Sequence, residues 1–238
     1  MSAPTALELL WGSPQRPRRG PKPSLSLERI VAAAIELADA EGLANLSMQR
    51  LAERLGCAKM ALYRYVPGKA ELIALMIDAA IGAPPELSAR QGDSSEEPWR
   101  ARLRLWTLRL HEGMLGHPWV LEVTLGIRPF GPNEMAWTES ALTALADTAL
   151  DGAERLDAVA LLAGHARTIA QQSANTDTGN LEAEMARQFS DSLATRAADF
   201  PQVIAAFAES GPPQARNNAL DFGIDRILDG LAALTARR

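Results

Sequence analysis

The chain has 238 residues, 47% of them apolar, which allows one or two domains with a sizeable core. Its single cysteine, Cys57, excludes an intramolecular disulfide and a cysteine-based metal cluster, and we expect no cofactor. The net charge of −5 is unevenly divided, because residues 1–69 hold 10 Lys and Arg against 6 Asp and Glu, whereas residues 70–238 hold 14 against 23. Such asymmetry is typical of a basic, nucleic-acid-facing part joined to a different remainder.

The sequence shows no segment for a membrane or for export. No uncharged apolar run approaches the ~18 residues that indicate a membrane span. In residues 1–23 the charged side chains follow the apolar ones, which is the reverse of a signal peptide. We therefore expect a cytoplasmic protein with no membrane partner.

Residues 1–25 are rich in Pro, Gly and Arg. This composition predicts a flexible basic arm that includes Arg16, Arg18, Arg19 and Lys22. A plain solvated tail would have the same composition, and both interpretations stay open.

The pattern becomes helical at Ser26, where apolar residues begin to recur at helical spacing. Ser26 is predicted to cap a first helix that ends at Gly42. Three further helices are predicted at 48–55, near 58–65 and from 69 to about 81.

The second and third of these helices are predicted to form a helix-turn-helix. They are joined by the short turn Gly56-Cys57-Ala58, and Gly56 can adopt the positive φ that a sharp reversal needs. Ala52 is small enough to let the two helices cross closely. The third helix is then held with its outer face exposed.

That outer face carries the chemistry that binds nucleic acid. Lys59 and Arg64 can meet phosphates or guanine edges, and Tyr63 and Tyr65 can donate to phosphate or pack on sugar and thymine. For any one residue a solvated helix face is a competing interpretation, but the whole constellation favours DNA binding.

A polar loop at 83–98 is followed by a larger helical region. Its predicted helices are 99–116, 118–125, 132–149, 153–174, 181–209 and 214–236. Since no run alternates as a strand does, we predict an all-α fold with domains at 26–82 and 83–238.

Large apolar residues in the middle of the chain predict a site for a hydrophobic ligand, with a few polar anchors. Ordinary core packing is the competing interpretation for each of them. The candidate effector-binding residues are Trp106, Leu110, Met114, Trp137, His165 and Gln171.

An enzyme is the first rival function. His111, Glu112 and His117 offer its best motif, but they lack the i, i+4 histidine spacing of a helical zinc site. The sequence contains no nucleophile elbow, P-loop or dinucleotide fingerprint. We therefore expect no catalytic or metal-binding residue.

A family resemblance is carried by the segments Ile30–Ala34, Glu41–Leu43, Leu46–Met48, Leu51–Gly56, Ala61–Tyr63, Tyr65-Val66, Lys69 and Glu71-Leu72. Through these residues, positions 26–81 resemble the DNA-binding domain of tetracycline-repressor (TetR) family transcriptional regulators. Shorter matches, at Leu125-Gly126-Ile127-Arg128-Pro129, at Gly164-His165 and over residues 222–231, are similar to the tetracycline-repressor-like carboxy-terminal domain.

The resemblance implies a homodimeric repressor that a small molecule releases from its operator. It implies that helices near 153–174 and 214–236 pair with those of a second protomer, and that residues 83–238 bind the effector. The DNA-facing positions that it implies are Ser47, Gln49, Lys59, Met60, Ala61, Tyr63, Arg64, Tyr65 and Lys69. An activator, or an architectural DNA-binding protein without an effector, is the alternative.

Two positions depart from the tetracycline-binding members of the family. Gln49 stands where they carry a base-reading Arg, which predicts a different operator. Thr124 stands where they carry the His that holds a metal–tetracycline complex, so we do not expect magnesium–tetracycline as the effector.

Overall fold

A computed structural model describes residues 4–12, 25–87, 97–124, 126–174, 197–209 and 219–237. These residues form helices, turns and loops, and no strand occurs among them, as the sequence predicts. The chain divides into two compact units, Met1–Asp147 and Thr148–Arg238. The predicted domain boundaries near residues 25 and 82 stay predictions.

The first unit contains eight α-helices among its described residues. They are α1 (Ala6–Trp11), α2 (Leu27–Glu41), α3 (Met48–Leu55), α4 (Lys59–Leu62), α5 (Lys69–Ile81), α6 (Pro98–Gly116), α7 (Val120–Val123) and α8 (Pro132–Ala144). A short 3-10 turn, Leu43–Asn45, joins α2 to α3.

Local capping explains where the helices of residues 26–82 begin and end. The hydroxyls of Ser26 and Ser47 accept from the backbone N–H groups of Arg29 and Arg50, as N-caps do. The predicted helix 132–149 is shorter in the structure, where α8 ends at Ala144. The N–H of Leu145 donates to the carbonyl oxygen of Ala141 and closes the last turn.

The predicted flexible arm is wrong for Ala6–Trp11, which form α1. Thr5 and Glu8 make a reciprocal capping box, and the helix packs against α5 with Leu10 buried. The indole Nε1 of Trp11 donates to the carbonyl oxygen of Phe130 at 2.9 Å. Burial of Leu10 and this long-range bond stabilise a helix that is too short to persist alone. The basic residues of the predicted arm lie outside the described residues.

One apolar cluster joins α1 to α5 and includes Trp119. Its fully buried large side chains from this region are Ile30, Leu46, Leu51, Leu62, Leu72, Met76 and Ile77. Burying a side chain of this size stabilises a fold by about 1.5–3 kcal/mol. The cluster therefore holds α3 and α4 in fixed positions against α2 and α5.

The described part of the second unit consists of α9 (Gly152–Ala174), a 3-10 turn (Ala197–Asp199), α10 (Pro201–Glu209) and α11 (Ala219–Thr235). Of the predicted helix 181–209, residues 181–196 lie outside the described residues. The described remainder is divided into the 3-10 turn and α10, which begins at Pro201.

Helices α9 and α11 pack together through a histidine that faces a glycine. The Nε2 atom of His165 lies 3.0 Å from the carbonyl oxygen of Leu220. A Cβ atom at Gly223 would overlap the His165 ring. The absence of a side chain at Gly223 therefore leaves the space that the His165 ring occupies.

Alanine at Gly223 is expected to destabilise the protein by about 1–3 kcal/mol through overpacking, measured by urea unfolding. Gly230 in the same helix faces open space, so Gly230→Ala is the matched control and is expected to be neutral or to stabilise by up to ~1 kcal/mol. Combining Gly223→Ala with His165→Ala should recover part of the loss. Equal effects of the two glycine substitutions would contradict the packing assigned to His165.

Candidate functional site

A helix-turn-helix forms at residues 48–62, where the sequence predicts one. The chain reverses after α3 at Gly56, which adopts the left-handed conformation with φ 64° and ψ 35°. The N–H of Cys57 donates to the carbonyl oxygen of Ala52 at 3.0 Å and closes the end of the helix.

Helix α4 is shorter than the predicted helix 58–65 and is held by the core. It ends at Leu62 and continues as a turn over residues 63–65. Pro67 disfavours helical backbone at Val66, so the helix cannot continue past the turn. Leu62 and Val66 are completely buried, so the opposite side of α4 faces outward.

The outward side carries four of the nine predicted DNA-facing residues. Lys59, Met60 and Arg64 are exposed, and Tyr63 is 37% exposed. The Nζ atom of Lys59 lies 5.9 Å from the centroid of the Tyr63 ring, a cation–π contact between neighbours on one helix face. Cation, ring and thioether therefore form a single surface.

Four other predicted DNA-facing residues lie on α3, α4 and α5 or at the start of these helices. Ser47 caps α3, and exposed Gln49 donates to Glu53 Oε1 at 2.7 Å. Ala61 is half-buried. Lys69 is exposed in the first turn of α5, with its Nζ atom 3.4 Å from the carbonyl oxygen of Leu43.

Tyr65 differs from the other predicted DNA-facing residues, because its ring lies against the core. Its hydroxyl donates to the carbonyl oxygen of Leu25 at 2.9 Å, immediately before the N-cap of α2. The Tyr65 hydroxyl therefore links the residue before α2 to the end of the helix-turn-helix by a hydrogen bond.

The arginines of α3 form ion pairs, whereas the cations of α4 and of the turn after it do not, within the described residues. Arg54 on α3 pairs with Glu36 at 2.9 Å, and Arg50 pairs with Glu41, both partners lying on α2. Lys59 and Arg64 make no ion pair within the described residues. Positive charge is therefore concentrated beside α4, a distinction that depends on tertiary contacts and that sequence reasoning missed.

Two of the predicted effector residues, Trp106 and Trp137, are buried and pack edge to face. Their ring centroids lie 5.8 Å apart at an interplanar angle of 64°. Trp106 Nε1 donates to the carbonyl oxygen of Trp137 at 2.9 Å, and Trp137 Nε1 donates to that of Gly82 at 3.0 Å. Both indole N–H groups are thus already hydrogen-bonded.

The other predicted effector residues are scattered. Leu110 is buried and Met114 half-buried on α6, in the first unit. His165 and Gln171 belong to the second unit, where His165 is bound to Leu220 and Gln171 is exposed. Of the six predicted effector residues, Trp106 and Trp137 are the pair joined by a ring contact and a hydrogen bond.

A buried carboxylate connects α5 to the start of α8. Asp78 Oδ1 accepts from the backbone N–H of Asn133 at 2.9 Å and from that of Glu134 at 3.2 Å, as an N-cap does. Burial raises the pKa of the Asp78 carboxyl, while these backbone hydrogen bonds act to lower it. Because α5 also carries Lys69, one helix reaches both a predicted DNA-facing residue and α8.

Polar contacts fix the segment that precedes α8. Arg128 Nη1 donates to Glu134 Oε2 at 2.8 Å, and the Arg128 guanidinium lies 5.0 Å from the Phe130 ring centroid. The buried Glu134 carboxylate also accepts from the N–H of Gly131 at 3.1 Å.

A second contact joins α2 to the region after α6. Asp39 accepts from Trp119 Nε1 at 2.7 Å and lies 2.9 Å from His117 Nδ1. The helices of the helix-turn-helix region are therefore hydrogen-bonded to the rest of the first unit from α2 as well as from α5.

Comparison with known proteins identifies the family. Residues 30–76 match the description "Bacterial regulatory proteins, tetR family", and residues 91–235 match "Tetracyclin repressor-like, C-terminal domain". The chain belongs to the tetR family of bacterial regulatory proteins.

Relatives of known name extend this membership over nearly the whole chain. An HTH-type transcriptional repressor, DrrR1 of Streptomyces coeruleorubidus, is 41% identical, over 98% of this chain and 86% of that protein. The class A tetracycline repressor of Escherichia coli is 24% identical over 85% of this chain and 88% of its own. The crystal structure of the Streptomyces coelicolor TetR family protein ActR in complex with actinorhodin has a TM-score of 0.72 and 26% identity, covering 89% of this chain and 98% of ActR.

This tetR-family protein is a DNA-binding transcriptional repressor and not an enzyme. In the rival catalytic motif, Glu112 pairs with Arg109, and His117 Nδ1 lies 2.9 Å from Asp39 Oδ1. Across the described ranges, no group of three His, Cys, Asp or Glu side chains is arranged to hold a metal ion. The same ranges include no helix long and apolar enough to cross a membrane.

Proposed function

We propose that this ligand-responsive repressor binds operator DNA as a homodimer that places one α4 in each of two successive major grooves. The observation that carries the proposal is an exposed surface on α4 and the turn after it, held on a buried core and without paired acids in the described residues. It consists of Lys59, Met60, Tyr63 and Arg64. Two such helices must lie 34–36 Å apart to reach successive grooves, so a dimer is the form that reads a palindrome.

Exposed apolar side chains on α9 and α11 support the proposed dimer. Leu156 and Leu161 on α9 are 54% and 58% exposed, and Phe222 on α11 is 63% exposed. Other apolar residues of these two helices are buried within the chain, namely Val159, Ala170, Ile224 and Leu228, so each helix has apolar side chains both inside and outside. The outward residues are those that a second protomer would cover in a helical bundle.

The proposed effector is a small hydrophobic molecule. The ActR structure with actinorhodin supports a small-molecule ligand for a protein of this fold. Trp106, Leu110, Met114 and Trp137 offer apolar surface, but both indole N–H groups are already bonded inside the protein. We therefore assign these four residues of the first unit a shape-defining role. The predicted polar anchors His165 and Gln171 belong to the second unit, and their role toward an effector stays a prediction.

Helix α5 is the proposed link between effector and operator. Lys69 and Asp78 are nine residues apart, which corresponds to about 14 Å along an α-helix. A displacement of the segment before α8 would therefore move the DNA-facing end of α5. An architectural protein without an effector would bind DNA equally well with and without any ligand.

Alanine at Tyr63 or at Lys69 is expected to weaken operator binding by about tenfold, because each side chain is proposed to donate to DNA. Gel-shift titration measures the affinity, and analytical ultracentrifugation measures the dimer, which both variants should retain. Unchanged affinity in both variants would show that α4 and the start of α5 do not face DNA.

A further inference from the structure

Met60 is an exposed apolar side chain at the centre of a polar surface. It is 73% exposed, and among residues 25–87 Tyr63 is the other large apolar side chain that is clearly exposed. Leu62, two positions later on the same helix, is completely buried. Since residues two apart on a helix point in different directions, anchoring Leu62 in the core directs Met60 away from it.

The neighbours of Met60 restrict what can cover it. Lys59 precedes it in α4, and Arg64 follows in the next turn, both exposed. These cations attract a polyanion, and no described acid pairs with them. The covering surface must therefore carry negative charge around an apolar spot.

The major groove of DNA offers such a spot at one base. Thymine presents a 5-methyl group there, whereas cytosine carries only a hydrogen atom at C5. Residues at the start of a recognition helix contact base edges, and Met60 is the second residue of α4. A methionine side chain is flexible and polarisable, so it can fit closely around a methyl group.

We propose that Met60 contacts the 5-methyl group of one thymine in each operator half-site and is a specificity-determining residue of this repressor. The proposal rests on the proposed function, because it requires α4 to lie in the major groove. Met60 carries no charge, so its contact with the methyl group is distinct from phosphate binding by Lys59 and Arg64. Removal of one such methyl group is expected to weaken binding by about fourfold per half-site.

Uracil substitution tests the contact, because uracil differs from thymine only by lacking the 5-methyl group. The binding site is first selected from random duplex DNA with the purified full chain. Each thymine of the selected half-site is then replaced by uracil in turn, symmetrically in both halves. Gel-shift affinities are measured for the unchanged protein, for Met60→Ala and for Met60→Leu, with circular dichroism to confirm equal folding.

The unchanged protein should lose about fifteenfold in affinity when one particular thymine is replaced in both halves. Met60→Ala should bind the thymine and uracil duplexes equally, whereas Met60→Leu should keep most of the preference. The slope of affinity against salt should not change in Met60→Ala.

Two results would overturn the proposal while leaving the proposed function in place. These are a selected site at which no thymine-to-uracil change matters, and a uracil penalty that Met60→Ala retains in full. Failure to enrich any sequence from random DNA would overturn the proposed function together with this inference.

Discussion

Alanine in place of Gly131 is expected to lower the free energy of unfolding by about 2–4 kcal/mol. A Cβ atom there would overlap the carboxyl group of Asp78 and lie 2.6 Å from the Asp78 Cβ. Because the overlap includes the base of the Asp78 side chain, rotating the carboxylate alone does not relieve it. Asp78 would have to leave Asn133 and Glu134, and its buried donors would lose their acceptor.

Urea unfolding of the full chain measures this effect. Gly113 in α6 faces open space, so Gly113→Ala is the matched control and is expected to be neutral or to stabilise by up to ~1 kcal/mol. The proposed route through α5 adds a second expectation, that Gly131→Ala also weakens operator binding at temperatures where it remains folded. A Gly131→Ala protein as stable as the Gly113→Ala control would contradict the packing at Asp78.

Alanine in place of Arg64 is expected to weaken operator binding by up to about a hundredfold in the dimer, through one lost phosphate contact in each half-site. Each lost phosphate contact reduces the slope of log affinity against log salt by about 0.9, so the dimer should lose about 2 from its slope. The exposure of Arg64 and the absence of an ion pair within the described residues support a role in contact with phosphate.

Arg54 provides the matched control for Arg64. It lies on α3 of the same helix-turn-helix, but its guanidinium pairs with Glu36 at 2.9 Å. Arg54→Ala should therefore leave the salt slope unchanged, while any small loss of stability appears in thermal unfolding. Equal losses of slope in the two variants would mean that ion pairing does not decide which arginines contact DNA.

Features that depend on neighbours in sequence could be predicted from the sequence. The predicted helices 48–55 and 69–81 agree with α3 and α5, because Ser47, Gly56 and the Pro67-Gly68 break act within a few residues. The buried positions of α2 follow the 3.6-residue spacing of its apolar side chains. The helix-turn-helix is specified almost entirely by such local signals.

Features that depend on distant contacts could not be predicted. Helix α1 lies in a Pro-rich and Arg-rich stretch, and its packing on α5 and its bond to Phe130 have no local signal. Tyr65 matches a DNA-facing pattern, yet its hydroxyl is directed to Leu25, forty residues earlier. The pairing of Arg50 and Arg54 likewise needs the position of α2, which spacing within α3 cannot give.

The effector residues illustrate the same limit in another way. The size and apolarity of Trp106 and Trp137 predict effector-binding residues. These two properties cannot distinguish the wall of a pocket from a packed core. Their indole hydrogen bonds to backbone carbonyls depend on how α6 and α8 cross. Their role toward an effector therefore stays a proposal.

The central claim is that a dimer of this chain recognises a palindromic operator through α4. The most direct test titrates the purified full chain into duplex DNA from the regions flanking its own gene, at several salt concentrations, with competitor DNA present. We expect tight, sequence-selective binding of two chains to one palindrome, with affinity that falls steeply as salt increases. Weak and equal binding to every duplex tested, including the sequence selected from random DNA, would contradict the claim.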